Sequence, residues 1–302
     1  MPIQYITYRQ IDKQKWDACI NNAGNGLIYA FSFYLDTMAK HWDALVLNDY
    51  EAVMPLTWNK KYSVYYLYQP PFTAHLGVFG NDVSAELINK FLQAVPKKFS
   101  YWDISFNYAN YFELSDFHLH ERMNYVLALN NSYEEIHSRY RENIQRNIKK
   151  CEQLNCVIKK DILIDDVISL SMLQAASFAP LTDSDFERIK KLYLLLQSQQ
   201  NAVTYGVYNR ERLMASAAFF FWGTRAYYIL VGNHPDGKTI GASHALINAF
   251  IKDNAGKDIL LDFEGSDIHS LAFFYSSFGA TEEKYSAIRL NRLPWYMKWL
   301  KK

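Results

Sequence analysis

Two carboxylates and a phenol lie close together near the end of the chain, in LDFEGSDIHSLAFFYSSFGA (Leu261–Ala280). Asp262 and Glu264 alternate along an apolar run that reads as a strand, which puts both on one face of a sheet, opposite Phe263. Neighbouring acids push one pKa upward, and a carboxylate raised in this way suits a general base for an amine nucleophile. The structural alternative for Asp262 is an acid that holds a neighbouring backbone or an arginine. In the segment that follows, Leu271, Phe274 and Phe278 form an apolar helical stripe, Gly279 reads as the C-cap, and Tyr275 falls off the stripe. A tyrosine facing the acids across a cleft is placed to protonate a leaving group; the alternative is a structural ring.

Upstream, GKTIGAS (Gly237–Ser243) puts Lys238, Gly241 and Ser243 between a strand and a helix. Free N–H groups and the positive end of the helix dipole favour phosphate at such a place. Lys238 precedes the second glycine, so the P-loop order is not met, and the plain alternative is a glycine-containing helix start. HExxH, CxxC, GxGxxG and GxSxG are absent. His118 and His120 flank Leu119 on a strand-like stretch with no third ligand nearby, so no metal is expected.

The elements that must position these residues recur. RAYYILVG, NHPDGKTIGAS, HALINAFIKDNAG and KDILLDFEGS read as strand, loop, helix, strand. YSVYYLYQPPFTAHLGVFG, NDVS, AELINKFLQAVPKK and FSYWDISFNYAN repeat that order, and Asp103 takes the place of Asp262. Duplication of one α/β unit is expected, although any two βαβ units share such an order. A hairpin turning at Asn48-Asp49 and a three-strand meander turning at Asn209-Arg210 and Gly223-Thr224 complete the strands. After Asn130-Asn131, Ser132 and Glu135 have capping-box spacing. Ile136, Tyr140, Ile144, Ile148, Cys151 and Leu154 then mark one long amphipathic helix, with Arg139, Arg141 and Arg146 on its other faces. The fold class expected is α/β (α+β): a domain over 1–130 and another over 131–302, each a mixed, mainly antiparallel sheet flanked by helices.

At 302 residues, half of them apolar, the chain has ample core for two domains. A net charge of +1 carries no global signal for nucleic acid. Three scattered cysteines read as reduced thiols, the N-terminus has no secretory pattern, and no apolar run is long enough to span a bilayer. A cytoplasmic protein without membrane insertion is expected, its oligomeric state open.

The meander, the glycine-bearing helix start, the acid-ended strand and the closing A-x-F-Y-x-x-x-G (Ala272–Gly279) resemble the Gcn5-related N-acetyltransferase (GNAT) fold. Two such units joined by YRENIQRNIKKCEQLNCVI resemble the Fem family, whose members move an amino acid from aminoacyl-tRNA onto an amine of a peptidoglycan precursor. The likeness spans most of the chain and is strongest over 122–158 and 225–290. It implies an acyltransferase acting on a small-molecule or peptide-like amine, with acyl-CoA or aminoacyl-tRNA as donor, in cell-wall or polysaccharide precursor metabolism. Glu264 or Asp262 would take the amine proton, Tyr275 would protonate the leaving group, and backbone N–H groups around Leu230 and Val231 would meet the oxyanion. Lys238, Gly241 and Ser243 would hold donor phosphates. Arg139, Arg141 and Arg146 would hold an anionic substrate part or the tRNA backbone, unless they form a solvated helix face. The family's usual lysine after Phe274 is Tyr275 here, a residue that acetyl-CoA-dependent members use as the acid; Glu264 stands where many Fem members have glycine. The first domain, with no basic residue in its VFGNDVS loop, would be donor-incompetent and serve as an acceptor platform. The rival from another class is a duplicated fold kept for binding alone.

Overall fold

The structure is a computed structural model that describes residues 2–112, 119–175, 181–265 and 267–295. In chain order the elements are β1 (Ile3–Ile6), α1 (Lys13–Asn22), α2 (Ser32–Met38), β2 (His41–Leu47), β3 (Ala52–Lys61), β4 (Val64–Tyr68), β5 (Phe79–Gly80), α3 (Ala85–Ala94) and β6 (Phe99–Ser105). They continue with β7 (Leu119–Ala128), α4 (Tyr133–Ser138), α5 (Glu142–Gln153), β8 (Val157–Lys160), α6 (Ile164–Ala175) and α7 (Asp183–Ser198). The last are β9 (Ala202–Asn209), β10 (Arg212–Trp222), β11 (Arg225–Asn233), α8 (Pro235–Ile240), α9 (Ala242–Asn254), β12 (Leu260–Asp262), α10 (His269–Ser276) and β13 (Thr281–Asn291).

These elements form two compact units. One combines Met1–Arg122 with Lys284–Lys302; the other is Met123–Glu283. The first unit's strands run in the order β1-β2-β3-β4-β6-β13, with β5 against β3, and β4 parallel to β6. The second unit's run β7-β12-β11-β10-β9-β8, with β11 parallel to β12. All other pairings named here are antiparallel. The expected boundary at 130/131 differs from this division in two ways. β7 turns from the first unit into the second partway along, because Val126, Leu127 and Ala128 pair with β12. The end of the chain belongs with the first unit, because Ala287–Asn291 pair with β6.

Turn and cap chemistry fixes these elements locally. Asn48 and Tyr50 take φ of 49° and 63° in the turn between β2 and β3. Ser84 caps α3 by accepting from the Leu87 N–H at 3.2 Å, and Ser132 with Glu135 forms the expected capping box of α4. In the second unit the core centres on Phe219 and Phe250, stacked at 3.8 Å, with Tyr205 edge-on to both. Each such buried ring contributes about 1.5–3 kcal/mol.

Three expectations change. The long helix after Ser132 is two helices, broken at Arg139–Arg141, where the Arg141 N–H donates to Ser277 O at 3.0 Å. The apolar stripe runs through the break, since Ile136, Tyr140, Ile144, Ile148 and Cys151 are all buried, while Leu154 at its end is exposed. Sequence period alone does not register a break imposed by a tertiary partner. Second, the polar stretch before α9 is helix α8, started by Pro235 in its first turn and by the His234 ring accepting from the Asp236 N–H. Third, on α10 it is Tyr275 that is buried, while Leu271 is exposed and Phe274 half-buried; Phe278, just past the helix, is buried as expected. Phe263, stacked on Tyr275 at 4.5 Å, draws that ring inward.

Candidate active site

The parallel pair of the second unit parts almost as soon as it forms. β12 faces β11 only from Arg225 to Tyr227, while β11 runs on to Asn233. No strand among the described residues pairs that further edge. On the β10 side the register slips: Ala218 faces Leu230 but Phe219 faces Tyr228, so Ile229 is an extra residue. Such a bulge re-aims the neighbouring backbone. It falls beside Leu230 and Val231, the residues expected to supply oxyanion donors. α6 covers part of this strand, and its backbone approaches so closely that a Cβ on Gly232 would meet the Ser171 nitrogen at 2.7 Å.

Asp262 ends β12 fully buried. Its carboxylate pairs with Arg225 at 2.6 Å and accepts from Asn124 Nδ2 at 2.9 Å and from the Glu264 N–H at 2.8 Å. Arg225 also binds Glu283 at 3.0 Å, and Asn124 donates to Glu283 as well. Burial opposes the guanidinium charge, but Asp262 and Glu283 outweigh it and hold Arg225 above its ordinary pKa. Of the two readings of Asp262, the geometry matches the acid that holds an arginine and a backbone group.

Glu264 lies past the strand, in a left-handed conformation with φ of 62°. The alternation that was to set both acids on one sheet face therefore stops before it. Glu264 is half-buried, and its charge reaches Tyr275, whose phenol is pushed above its ordinary value first by burial and then by Glu264. Tyr228, next to the bulge, is edge-on to Tyr275 at 6.5 Å and to Phe263 at 6.0 Å. The structure thus brings together Glu264, Tyr275 and β11 near its bulge.

The expected phosphate seat is arranged differently. Lys238 is exposed on α8. Gly241 ends α8 and opens α9 with φ of 75°, and a Cβ there would meet Asn147 O of α5 at 2.4 Å. This glycine is required by the packing of α5. Ser243 donates its hydroxyl to Asn233 at the end of β11. Arg139, Arg141 and Arg146 are all exposed; Arg139 caps α4 beside Gly279, Arg141 lies over the Phe273 ring at 4.9 Å, and Arg146 projects from α5.

His244, in the first turn of α9, escaped the sequence reading. Its ring is edge-on to Phe274 at 4.9 Å, its Nδ1 is buried without a partner, and burial pushes its pKa down to about 4. A histidine in a helix's first turn carries no distinguishing sequence signal. Among the described residues no group of three or more His, Cys, Asp and Glu is arranged to hold a metal, and His118 lies outside them. No helix among them is long and apolar enough to cross a membrane.

This is the Fem-type tandem GNAT-like fold. Among solved structures the chain is similar to FemX, with a TM-score of 0.65 and 12% identity over the whole of both chains. It is also similar to L-PGS from Bacillus licheniformis (TM-score 0.53, 10% identity, 96% of this chain and 95% of that one). A conserved protein of unknown function from Bacteroides thetaiotaomicron gives a TM-score of 0.56 at 13% identity, over 96% of this chain and 99% of that one. At such identities the likeness establishes the fold. No protein-family model and no curated protein matches the sequence.

Proposed function

We propose that the chain transfers an aminoacyl group onto an amine of a small or peptide-like acceptor, a precursor of cell-wall or polysaccharide type, with the donor seated in the second unit. The observation that carries this reading is the early parting of β11 from β12 after Tyr227, just before the Ile229 bulge and beside Tyr275 and Glu264. An acyl carbonyl laid along that free edge meets the backbone N–H groups around Leu230 and Val231 as its oxygen gains charge. Glu264 takes the proton of the attacking amine, and Tyr275 returns one to the departing oxygen. Asp262 and Arg225 hold the turn that presents Glu264.

Aminoacyl-tRNA is favoured over acyl-CoA for two reasons. Where the resemblance would seat a GNAT-type pyrophosphate, α8 runs directly into α9 and the Asn147 carbonyl lies against Gly241, whereas Arg139, Arg141 and Arg146 are exposed to a polyphosphate backbone. A phenol raised above its ordinary pKa also gives its proton more readily to a ribose oxygen than to the less basic thiolate. The first unit is read as the acceptor platform.

Melting curves with a hydrolysis-resistant aminoacyl-tRNA analogue and with acetyl-CoA test this reading, since a ligand of the native state raises the midpoint. A rise with the analogue supports it, as does loss of aminoacyl-tRNA in the presence of an amine panel. A rise with acetyl-CoA alone replaces the donor. A flat response to both leaves the binding-only fold as the account.

A further inference from the structure

α5 ends in a turn that brings two thiols together. Gln153 is its last residue and Leu154 its C-cap; Asn155 follows in the left-handed region at φ 53°. The Cys156 N–H donates to Cys151 O at 3.1 Å, and the Asn155 N–H to Glu152 O at 2.9 Å. These are the two crossed bonds of a Schellman motif, in which the side chains at the first and sixth positions meet, ordinarily as an apolar pair. Here both are cysteines: Cys156 packs against the core cluster that contains Cys151, near enough for one thiol to influence the other. Asn209 fastens the turn to the end of β9, its Nδ2 donating to Cys156 Sγ at 3.5 Å and to Leu154 O at 3.4 Å. Cys151 is buried and Cys156 half-buried, so Cys156 is the more accessible of the two to a reagent.

We propose that Cys151 and Cys156 form a reversible disulfide, a redox modification site that closes the C-cap of α5, with a hydroperoxide as oxidant and a dithiol as reductant. The Cys156 thiolate attacks the peroxide; the O–O bond breaks, the departing oxygen takes a proton, and Cys156 becomes a sulfenic acid. Cys151 gives up its proton and attacks that sulfur; the S–S bond forms, the S–O bond breaks, and water leaves. Two thiols and one hydroperoxide thereby become one disulfide, one alcohol and one water. The sulfurs are oxidised and the peroxide oxygens reduced. Burial, and then the contact with Cys156, push the Cys151 thiol up to about 12, so ring closure quickens as pH rises.

The third cysteine provides the control. Cys19 has its sulfur 3.9 Å from the Phe79 carbonyl and belongs to the other unit. Native protein is treated with hydrogen peroxide, alkylated with N-ethylmaleimide under denaturing conditions, digested and weighed. The expected result is a Cys151–Cys156 product that has lost two hydrogens and resists alkylation, while Cys19 is alkylated and dithiothreitol restores both blocked thiols. In Cys151→Ser, dimedone should capture a sulfenic acid at Cys156. Full alkylation of both thiols in the wild-type protein after peroxide overturns the proposal. So does oxidation of Cys156 to the sulfinic acid with no loss of hydrogens. The wild-type measurement decides even where the variant fails to fold.

Discussion

The two parallel strand pairs of this molecule begin alike and finish differently. In the first unit β4 and β6 run side by side from Tyr65 to Tyr68, and the chain then returns to fill the gap they leave. Gln69 accepts from the Ser105 N–H at 3.1 Å, the Leu76 N–H donates to Ser105 O at 3.0 Å, and Leu76 bridges to Phe106. Asn25, Asn107 and Asn110 all donate to Val78 O and anchor the returning segment. In the second unit β11 has a bulge, and its edge beyond Tyr227 takes no such strap among the described residues. One order of elements therefore yields one gap stitched shut by its own chain and one that no strand among the described residues fills. That difference supports placing the donor in the second unit.

The largest effect expected is on turnover. Positioned proton transfer is typically worth about 10²–10⁴-fold. Tyr275→Phe should slow aminoacyl transfer within that range while the melting temperature stays nearly constant, because the ring and its stack on Phe263 remain. Glu264→Gln should slow it similarly and remove the ascending limb of the pH–rate profile. A lower melting temperature with an unchanged rate per molecule for Tyr275→Phe would make the ring purely structural.

The two strand acids sharpen the comparison next. Asp262 and Arg225 are buried, their side chains 0% and 10% exposed, whereas Asp103 and Arg289 of the first unit are 45% and 58% exposed. Removing one partner of a buried pair costs about 3–5 kcal/mol; an exposed pair contributes about 0–1 kcal/mol. Urea denaturation should show Asp262→Ala strongly destabilised and Asp103→Ala almost unaffected. Equal losses would mean that the two acids do the same work.

His244 supplies a pH signature. Its folded pKa of about 4 lies below the unfolded 6.5, so only the unfolded state takes the proton in between. The stabilisation is present above 6.5 and is lost as pH falls toward 4, amounting to about 3 kcal/mol. His244→Leu should flatten the stability curve over that window relative to the wild-type protein. Parallel curves would place the imidazole in water.

A smaller contrast separates two left-handed glycines. Gly241 and Gly256 have φ of 75° and 79°. A Cβ at Gly241 meets Asn147 O, while at Gly256 nothing lies within 4 Å. Both alanine variants bear the left-handed cost of roughly 1–2 kcal/mol; Gly241→Ala should lose about 1–3 kcal/mol more through overpacking. Equal losses would remove α5 from the account of this glycine.

The order of elements, the meander, the hairpin and the apolar stripe through α4 and α5 were legible in the sequence because apolar period and turn residues are local properties. What it hid depends on partners distant along the chain. The break before α5 answers to Ser277, and Asp262 answers to an arginine 37 residues earlier. Tyr275 left its expected exposed place because Phe263 offered a stacking surface. α8 did carry a local signal, Pro235 at a helix start, but one turn of helix among polar residues reads equally well as loop. Glu264 and Tyr275 could be proposed from residue type, whereas the bulge at Ile229 is visible only in the register of β10 against β11.

Hydrogen exchange with the aminoacyl-tRNA analogue bound tests the central claim most directly. New protection is expected at the amides of Tyr228–Val231 in the second unit and none across Gln69–Leu76 in the first. Protection confined to Gln69–Leu76, or absent from both, would contradict it.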